Sequence, residues 1–152
     1  MTGVQTCALP ICWRACSESL PTLVNLHRRK VVTSPLCSSY GISRETILHE
    51  LWECDQVQAC WGHAFMKVRQ AQLHWGSFMD LVSAARQLKE DQELFTVIAW
   101  FVWSRRNKCH FKEHCLPPEK IRDAAESVLK EFHGSQKTRI VRIQRQPPLG
   151  TT

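Results

Sequence analysis

Two cysteines and a histidine, Cys37, His49 and Cys54, constrain the fold of this chain more than any other part of its sequence. Structural zinc takes four ligands in a tetrahedron, usually Cys and His side chains, and these three residues have the types and spacing of such ligands. Cys37 falls in a predicted loop, whereas His49 falls on a helix that we expect to begin at Ser43 and to end near Cys54. The pattern therefore predicts a metal site formed by a loop and the helix that follows it.

The place of a fourth ligand, three residues after Cys37, is occupied by Tyr40. A tyrosine offers a hard oxygen of high pKa, which is a poor substitute for a thiolate on zinc. Because metal binding is coupled to folding and to ligand deprotonation, we expect a site with three good ligands to hold zinc weakly or to have lost it. In a regular α-helix His49 and Cys54 would point about 140° apart. Cys54 must therefore lie where the helix unwinds.

The composition limits the compartment and the partners. The chain has 152 residues, 8 of them cysteine, and its N-terminus has no basic segment followed by an apolar run. We therefore expect a cytoplasmic or nuclear protein that is not secreted, in which thiols stay reduced. The longest apolar run, residues 94–103, is well short of the roughly 20 residues that cross a bilayer. The formal net charge of +6 permits RNA or DNA as an anionic partner.

Apolar residues recur at helical spacing along most of the chain, so the predicted fold class is a small all-α domain with one irregular zinc-knuckle-like Cys/His loop. Residues 91–108 form the most apolar helix and are expected to be buried in the centre of the domain. Another helix is expected over residues 57–68. The last helix is expected to begin at the prolines 117–118 and to end at Gly134. The predicted N-caps of other helices are Thr22, Ser43, Asp55 and Ser77.

Two further cysteine patterns are weaker metal candidates. A second cluster consists of Cys109, His110, His114 and Cys115. It lies close to two prolines, so a polar helix end is the favoured interpretation. Cys60 falls within the apolar stripe of residues 57–68, where a cysteine is expected to act as a small buried hydrophobe.

Two basic groups are candidates for contact with nucleic-acid phosphates. They lie near the C-terminal ends of predicted helices, where cations also stabilise the helix macrodipole, so a structural role stays open. The candidate nucleic-acid-binding residues are Arg28, Arg29, Lys30, Arg105, Arg106 and Lys108. For Arg105 and Arg106 the structural role is slightly favoured, because they follow a helix that is expected to be buried.

The first twelve residues resemble the conceptual translation of a short-read sequencing adapter. We therefore interpret residues 1–12 as an artefact that is not native, and we expect the chain to be a fragment of a longer protein.

A family resemblance extends over most of the remaining chain. The runs Trp13-Arg14-Ala15-Cys16 and Leu20-Pro21-Thr22, then Asn25-Leu26, Arg28-Arg29, Cys37, Glu45-Thr46, His49, Cys54 and Trp61, carry it. Together they resemble the zinc-binding domain of reverse transcriptases from plant non-long-terminal-repeat retrotransposons. That family has two cysteines separated by two residues, followed by a His and a Cys separated by four. Cys37, His49 and Cys54 match three of these ligands, and Tyr40 departs from the pattern at the fourth.

The resemblance also implies an organisation. In that family the zinc-binding domain follows a polymerase and precedes a ribonuclease H domain. Residues 13–66 are thereby expected to form the zinc-binding module and residues 67–134 a helical linker region. Residues 135–152 are expected to be a basic tail that leads towards a ribonuclease H domain. The implied function is that of a non-catalytic module of a retrotransposon polyprotein that binds zinc and nucleic acid.

Two alternatives stay open. The chain is also consistent with a metal-free helical relic or linker without independent activity, which the tyrosine at position 40 favours. An enzyme using Cys54 and His49 as a nucleophile and base ranks last, because no residue that would orient the base is identifiable. The sequence has no Tyr-x-Asp-Asp motif and no clustered carboxylates for magnesium, so we expect no catalytic residues.

Overall fold

The computed structural model describes residues 3–38, 41–72 and 74–144. Within them lie seven α-helices, one π-helix and no β-strand, which confirms the predicted all-α fold class. The bounds are α1 Gly3–Cys16, α2 Leu23–Arg28, the π-helix His49–Glu53, α3 Asp55–Trp61, α4 Met66–Ala71, α5 Phe78–Gln87, α6 Gln92–His110 and α7 Pro118–Gln144. An isolated antiparallel bridge joins Leu36 to Arg44.

Side-chain caps begin three of these helices. The hydroxyl of Thr22 accepts from the backbone N–H of Asn25 at 3.4 Å, and that of Ser77 accepts from Asp80 at 3.2 Å. These caps satisfy backbone donors that have no partner inside the helix, and both were predicted correctly. The predicted start of the apolar helix at Asp91 is also confirmed, because Asp91 accepts from the N–H of Leu94 at 3.1 Å.

The predicted cap at Ser43 is wrong, because residue 43 lies in a bend and helical structure begins at residue 47. There the hydroxyl of Thr46 accepts from the backbone N–H of His49 at 3.0 Å. The predicted cap at Asp55 is also wrong, since Asp55 is the first residue of α3 and the cap position belongs to Cys54. A carboxylate at that place still favours the positive end of the helix.

Two predicted helix boundaries are wrong. The single helix expected over residues 57–68 is interrupted, because Gly62 has a φ of 57° and Phe65 a φ of 61°, so α3 ends and α4 starts anew. Gly134 does not end the last helix, since α7 continues to Gln144. Glycine stops a helix where the chain needs a left-handed residue, and no such turn occurs at position 134.

An aromatic cluster lies at the centre of the core. Phe95 of α6 packs against Trp61 and Phe65, with ring centroids 4.9 and 5.2 Å away. Trp52 of the π-helix stands 5.1 Å from Trp61, and Phe78 of α5 stands 6.0 Å from Phe95. As expected, α6 is central, and it packs against α1, α7 and the π-helix. The π-helix is thereby fixed to the core through Trp52.

No helix within residues 3–38, 41–72 and 74–144 is long and apolar enough to cross a membrane.

Candidate metal centre

Cys37 lies in a short hairpin. Its backbone N–H donates to the carbonyl of Ser43 at 2.7 Å, and its own carbonyl accepts from Gly41 at 2.8 Å. Gly41 has a φ of 64°, a conformation that glycine adopts at no steric cost. The bridge between Leu36 and Arg44 closes the hairpin. Cys37 is thus held by backbone hydrogen bonds through both its N–H and its carbonyl, and the residue is 3% exposed.

His49 and Cys54 lie at the two ends of the π-helix. The N–H of Cys54 donates to the carbonyl of His49 at 2.8 Å, a bond that spans five residues and makes a wider turn than the α-helix does. Cys54 itself has an extended backbone, with φ −61° and ψ 132°. The expectation that Cys54 lies where the helix unwinds is therefore confirmed, whereas the wide turn itself was not predicted.

The three side chains converge. The ligand atoms of Cys37, His49 and Cys54 all lie within 4.8 Å of one another. Tetrahedral zinc with bonds of about 2.0–2.3 Å places neighbouring ligand atoms about 3.3–3.8 Å apart, so the cluster is close to the size that the ion requires. It is the one group of three such residues found in the described part of the chain.

The chemistry of the donors also fits zinc. The Nε2 atom of His49 is buried and has no hydrogen-bond partner, a state that costs free energy unless a ligand satisfies the atom. Burial, together with the neighbouring Cys37, raises the pKa of the Cys54 thiol to about 11. A metal ion at this point would satisfy the imidazole and replace the thiol protons. Cys37, His49 and Cys54 are thus the residues that would hold zinc.

Tyr40, the residue at the predicted fourth position, lies outside the described residues. The prediction that it weakens zinc binding therefore rests on the spacing in the sequence.

The second cysteine cluster has a different arrangement. Cys109 and Cys115 are joined in a disulfide, with their Cα atoms 6.2 Å apart, across the connection between α6 and α7. This pairing removes two of the four candidate ligands. The other interpretation, a polar end of α6, agrees with the exposure of His110 and His114. Cys60 is fully buried in the core, as predicted.

The basic candidates fall into two structural classes. Arg28, Arg29 and Lys30 are exposed at the end of α2, and Lys108 is exposed near the end of α6. None of these four takes part in a salt bridge within the described residues.

Arg105 and Arg106 are instead engaged within the protein. The Nε atom of Arg105 donates to the carbonyl of Leu116 at 2.8 Å. Arg106 donates to the carboxylate of Glu45 at 2.6 Å, and its guanidinium stands 5.0 Å from the ring centroid of Trp103. The structural role that was slightly favoured for these two arginines agrees with these contacts.

A buried acidic pair next to the cluster was not predicted from the sequence. Glu45 and Glu50 lie on either side of the start of the helical turn that carries His49, and both are buried. Burial, together with the charge of Glu45, raises the pKa of Glu50 to about 8. Glu45 forms an ion pair with Arg106, which is 61 residues away in the chain. No local sequence pattern could have indicated this ion pair.

The comparison with known families agrees with this geometry. Residues 3–61 match the family model described as zinc-binding in reverse transcriptase, and this range contains all three ligands of the cluster. The match begins within residues 1–12, whose exclusion as an artefact stays a prediction. No curated protein and no solved structure matches the chain. Residues 3–61 are therefore similar to the zinc-binding domain of reverse transcriptase.

Proposed function

We propose that this chain is a non-catalytic module of a retrotransposon polyprotein that binds zinc and contacts RNA or DNA. The convergence of Cys37, His49 and Cys54, with the buried Nε2 atom of His49 unpartnered, is the observation that carries the proposal. Zinc bound there would cross-link the hairpin to the π-helix. The role of the module would be to hold nucleic acid or to place a polymerase beside a ribonuclease H domain.

Exposed charge supports the nucleic-acid part of the proposal. Arg28, Arg29 and Lys30 follow one another at the end of α2 and are exposed. Cations in such a position neutralise phosphates and release their counterions, which makes the affinity depend steeply on salt. The formal net charge of +6 acts in the same direction.

Metal analysis tests the zinc part. We expect about one zinc ion per chain in protein purified without chelator. His49→Ala should weaken zinc binding at least roughly 100-fold, because a removed ligand costs more than the 10–100-fold that is typical of groups behind the ligands. His63→Ala is the matched control, since His63 is exposed and lies outside the cluster. A purified wild-type chain without zinc that also fails to bind added zinc would support the metal-free alternative.

A gel-shift titration over a range of salt concentrations tests the nucleic-acid part. Replacing Arg28, Arg29 and Lys30 together by Gln should reduce the salt slope by about 3, because about one counterion is released for each phosphate contact. The matched control removes the same charge elsewhere, by Gln at Lys137, Arg139 and Arg142, which are exposed on α7. Absence of any shift at low salt, with RNA and with DNA, would reject nucleic-acid binding.

A further inference from the structure

Glu45 lies between the two segments that bring the metal ligands together. Its backbone N–H donates to the carbonyl of Pro35 at 2.8 Å, which closes the base of the hairpin that carries Cys37. The next residue, Thr46, caps the helical turn that carries His49. Any movement of Glu45 would therefore change the position of Cys37 relative to His49.

The side chain of Glu45 is fixed by two donors from other parts of the fold. Its Oε1 atom accepts from the N–H of Leu23 at 2.8 Å, at the start of α2, and from Arg106 of α6 at 2.6 Å. The backbone carbonyl of Glu45 also accepts from Val24 at 3.2 Å. These contacts tie the segment between the ligands to α2 and to the central helix.

The ion pair is buried, and so its two members depend on each other. The side chains of Glu45 and Arg106 are 3% and 11% exposed. A buried charge that loses its partner is strongly unfavourable, so Glu45 would turn towards water if Arg106 were removed. A cavity of about 130 Å³ adjoins the pair and gives a displaced side chain room to move. Such a movement would also pull on the backbone that carries the ligands.

We propose that Glu45 and Arg106 are a positioning pair of the metal centre, through which the central helix α6 sets the distance between Cys37 and His49. Neither residue belongs to the ligand cluster. The pair therefore influences zinc affinity without contacting the ion. Of its two members, Arg106 lies beyond the residues that match the zinc-binding family. The inference rests on the proposed zinc binding.

Zinc competition titrations on the full chain test the pair. Arg106→Gln is expected to weaken zinc affinity by about 10- to 100-fold, as is typical for residues that orient metal ligands. Arg106→Lys retains the positive charge but lacks the planar guanidinium and its several N–H donors. A smaller loss of zinc affinity is therefore expected than for Arg106→Gln. In the double variant Glu45→Gln with Arg106→Gln, two neutral amides can bond each other. This variant should bind zinc more tightly than Arg106→Gln alone.

Cobalt substitution separates positioning from general loss of stability. Cobalt in place of zinc reports ligand geometry in its absorption spectrum, and Arg106→Gln should change that spectrum. Ser77→Ala is the control, because it removes a helix cap outside the cluster and should lower stability while leaving the cobalt spectrum unchanged. Arg122→Gln is a second control, since it breaks a partly exposed ion pair with Glu126 outside the cluster.

The outcomes are distinguishable. If the wild-type chain binds no zinc, the proposed function and the inference both fail. If the wild type binds zinc but folded Arg106→Gln and Arg106→Lys bind it equally well, with the same cobalt spectrum, the inference alone is overturned. If Arg106→Gln does not fold, the Arg106→Lys variant decides by the same two measurements.

Discussion

At the residue scale, the cluster is held by the backbone more than by its own side chains. Cys37 is fixed by the hairpin hydrogen bonds and Cys54 by the wide turn that ends at it, whereas the Nε2 atom of His49 has no partner. Ligands that are placed before the metal arrives lose little conformational entropy when they bind it. The backbone therefore places the three side chains that would hold zinc.

Tyr40→Cys should increase zinc affinity, because it adds a thiolate three residues after Cys37, at the spacing expected of a fourth ligand. The expected gain is at least about 10-fold, measured by competition with a chromophoric chelator. Tyr40→Phe tests whether the phenol oxygen contributes. Equal zinc affinity in the wild type and in Tyr40→Phe is expected if the oxygen is a poor ligand.

Ser38→Cys provides the comparison for Tyr40→Cys, since it adds a thiol within the hairpin at a spacing that does not fit the expected fourth ligand. A zinc affinity of Tyr40→Cys no higher than that of the wild type would show that position 40 does not face the metal.

At the scale of single elements, local signals predicted the helices well where a side chain does the capping. The helix starts at Thr22 and Ser77 are predictable because a hydroxyl at the N-cap can accept from the first backbone N–H groups of the helix. The break at Gly62 was missed, because the apolar stripe continues across it and both short helices bury residues of that stripe. The π-helix was missed because no side-chain pattern distinguishes a five-residue turn from a four-residue one.

Gly134→Ala should stabilise α7. A Cβ atom at this position would meet no atom within 4 Å, and the residue lies inside the helix. Alanine loses less backbone entropy than glycine there, which is worth about 0.5–1 kcal/mol. Higher helicity by circular dichroism and a higher thermal midpoint are the expected results. A loss of helicity would instead contradict the helical conformation of residue 134.

At the scale of the whole molecule, residues 3–61, which match the family model, share one core with the helices that follow them. A single cluster of buried residues extends from Ala15 to Leu129. Phe95, which lies outside the matched residues, packs on Trp52 and Trp61, which lie within them. The boundary between a zinc module at residues 13–66 and a linker region at residues 67–134 stays a prediction. Because the two segments share one core, we expect their folding to be coupled.

Phe95→Ala should destabilise the whole chain by about 3–5 kcal/mol, because it leaves a cavity among four aromatic rings. That loss is a large part of the stability of an ordinary domain. Urea denaturation measures the effect, and zinc affinity should fall with it because Trp52 lies on the π-helix. Phe111→Ala is the matched control, since Phe111 is 71% exposed and should cost less than about 0.5 kcal/mol. Equal costs in both variants would contradict the central place of Phe95.

Long-range contacts mark the limit of what the sequence could predict. The spacing of Cys37, His49 and Cys54 was sufficient to propose the cluster, because all three lie within a short segment. The pairing of Glu45 with Arg106 and the disulfide between Cys109 and Cys115 depend on how the chain packs. The sequence leaves both phosphate contact and a structural role open for Arg106, with the structural role slightly favoured, but it does not identify Glu45 as the partner.

The wide turn between His49 and Cys54 implies that zinc binding there would depend on the number of residues between these ligands as well as on the ligand side chains. Deleting one residue between them would allow an ordinary α-helical turn with a regular hydrogen bond, but it would rotate the cysteine by about 100° relative to the histidine. An insertion would displace it in the opposite sense. A substitution of Glu53, which is only partly buried, should therefore leave the site intact. A change in the number of residues between the two ligands should abolish it.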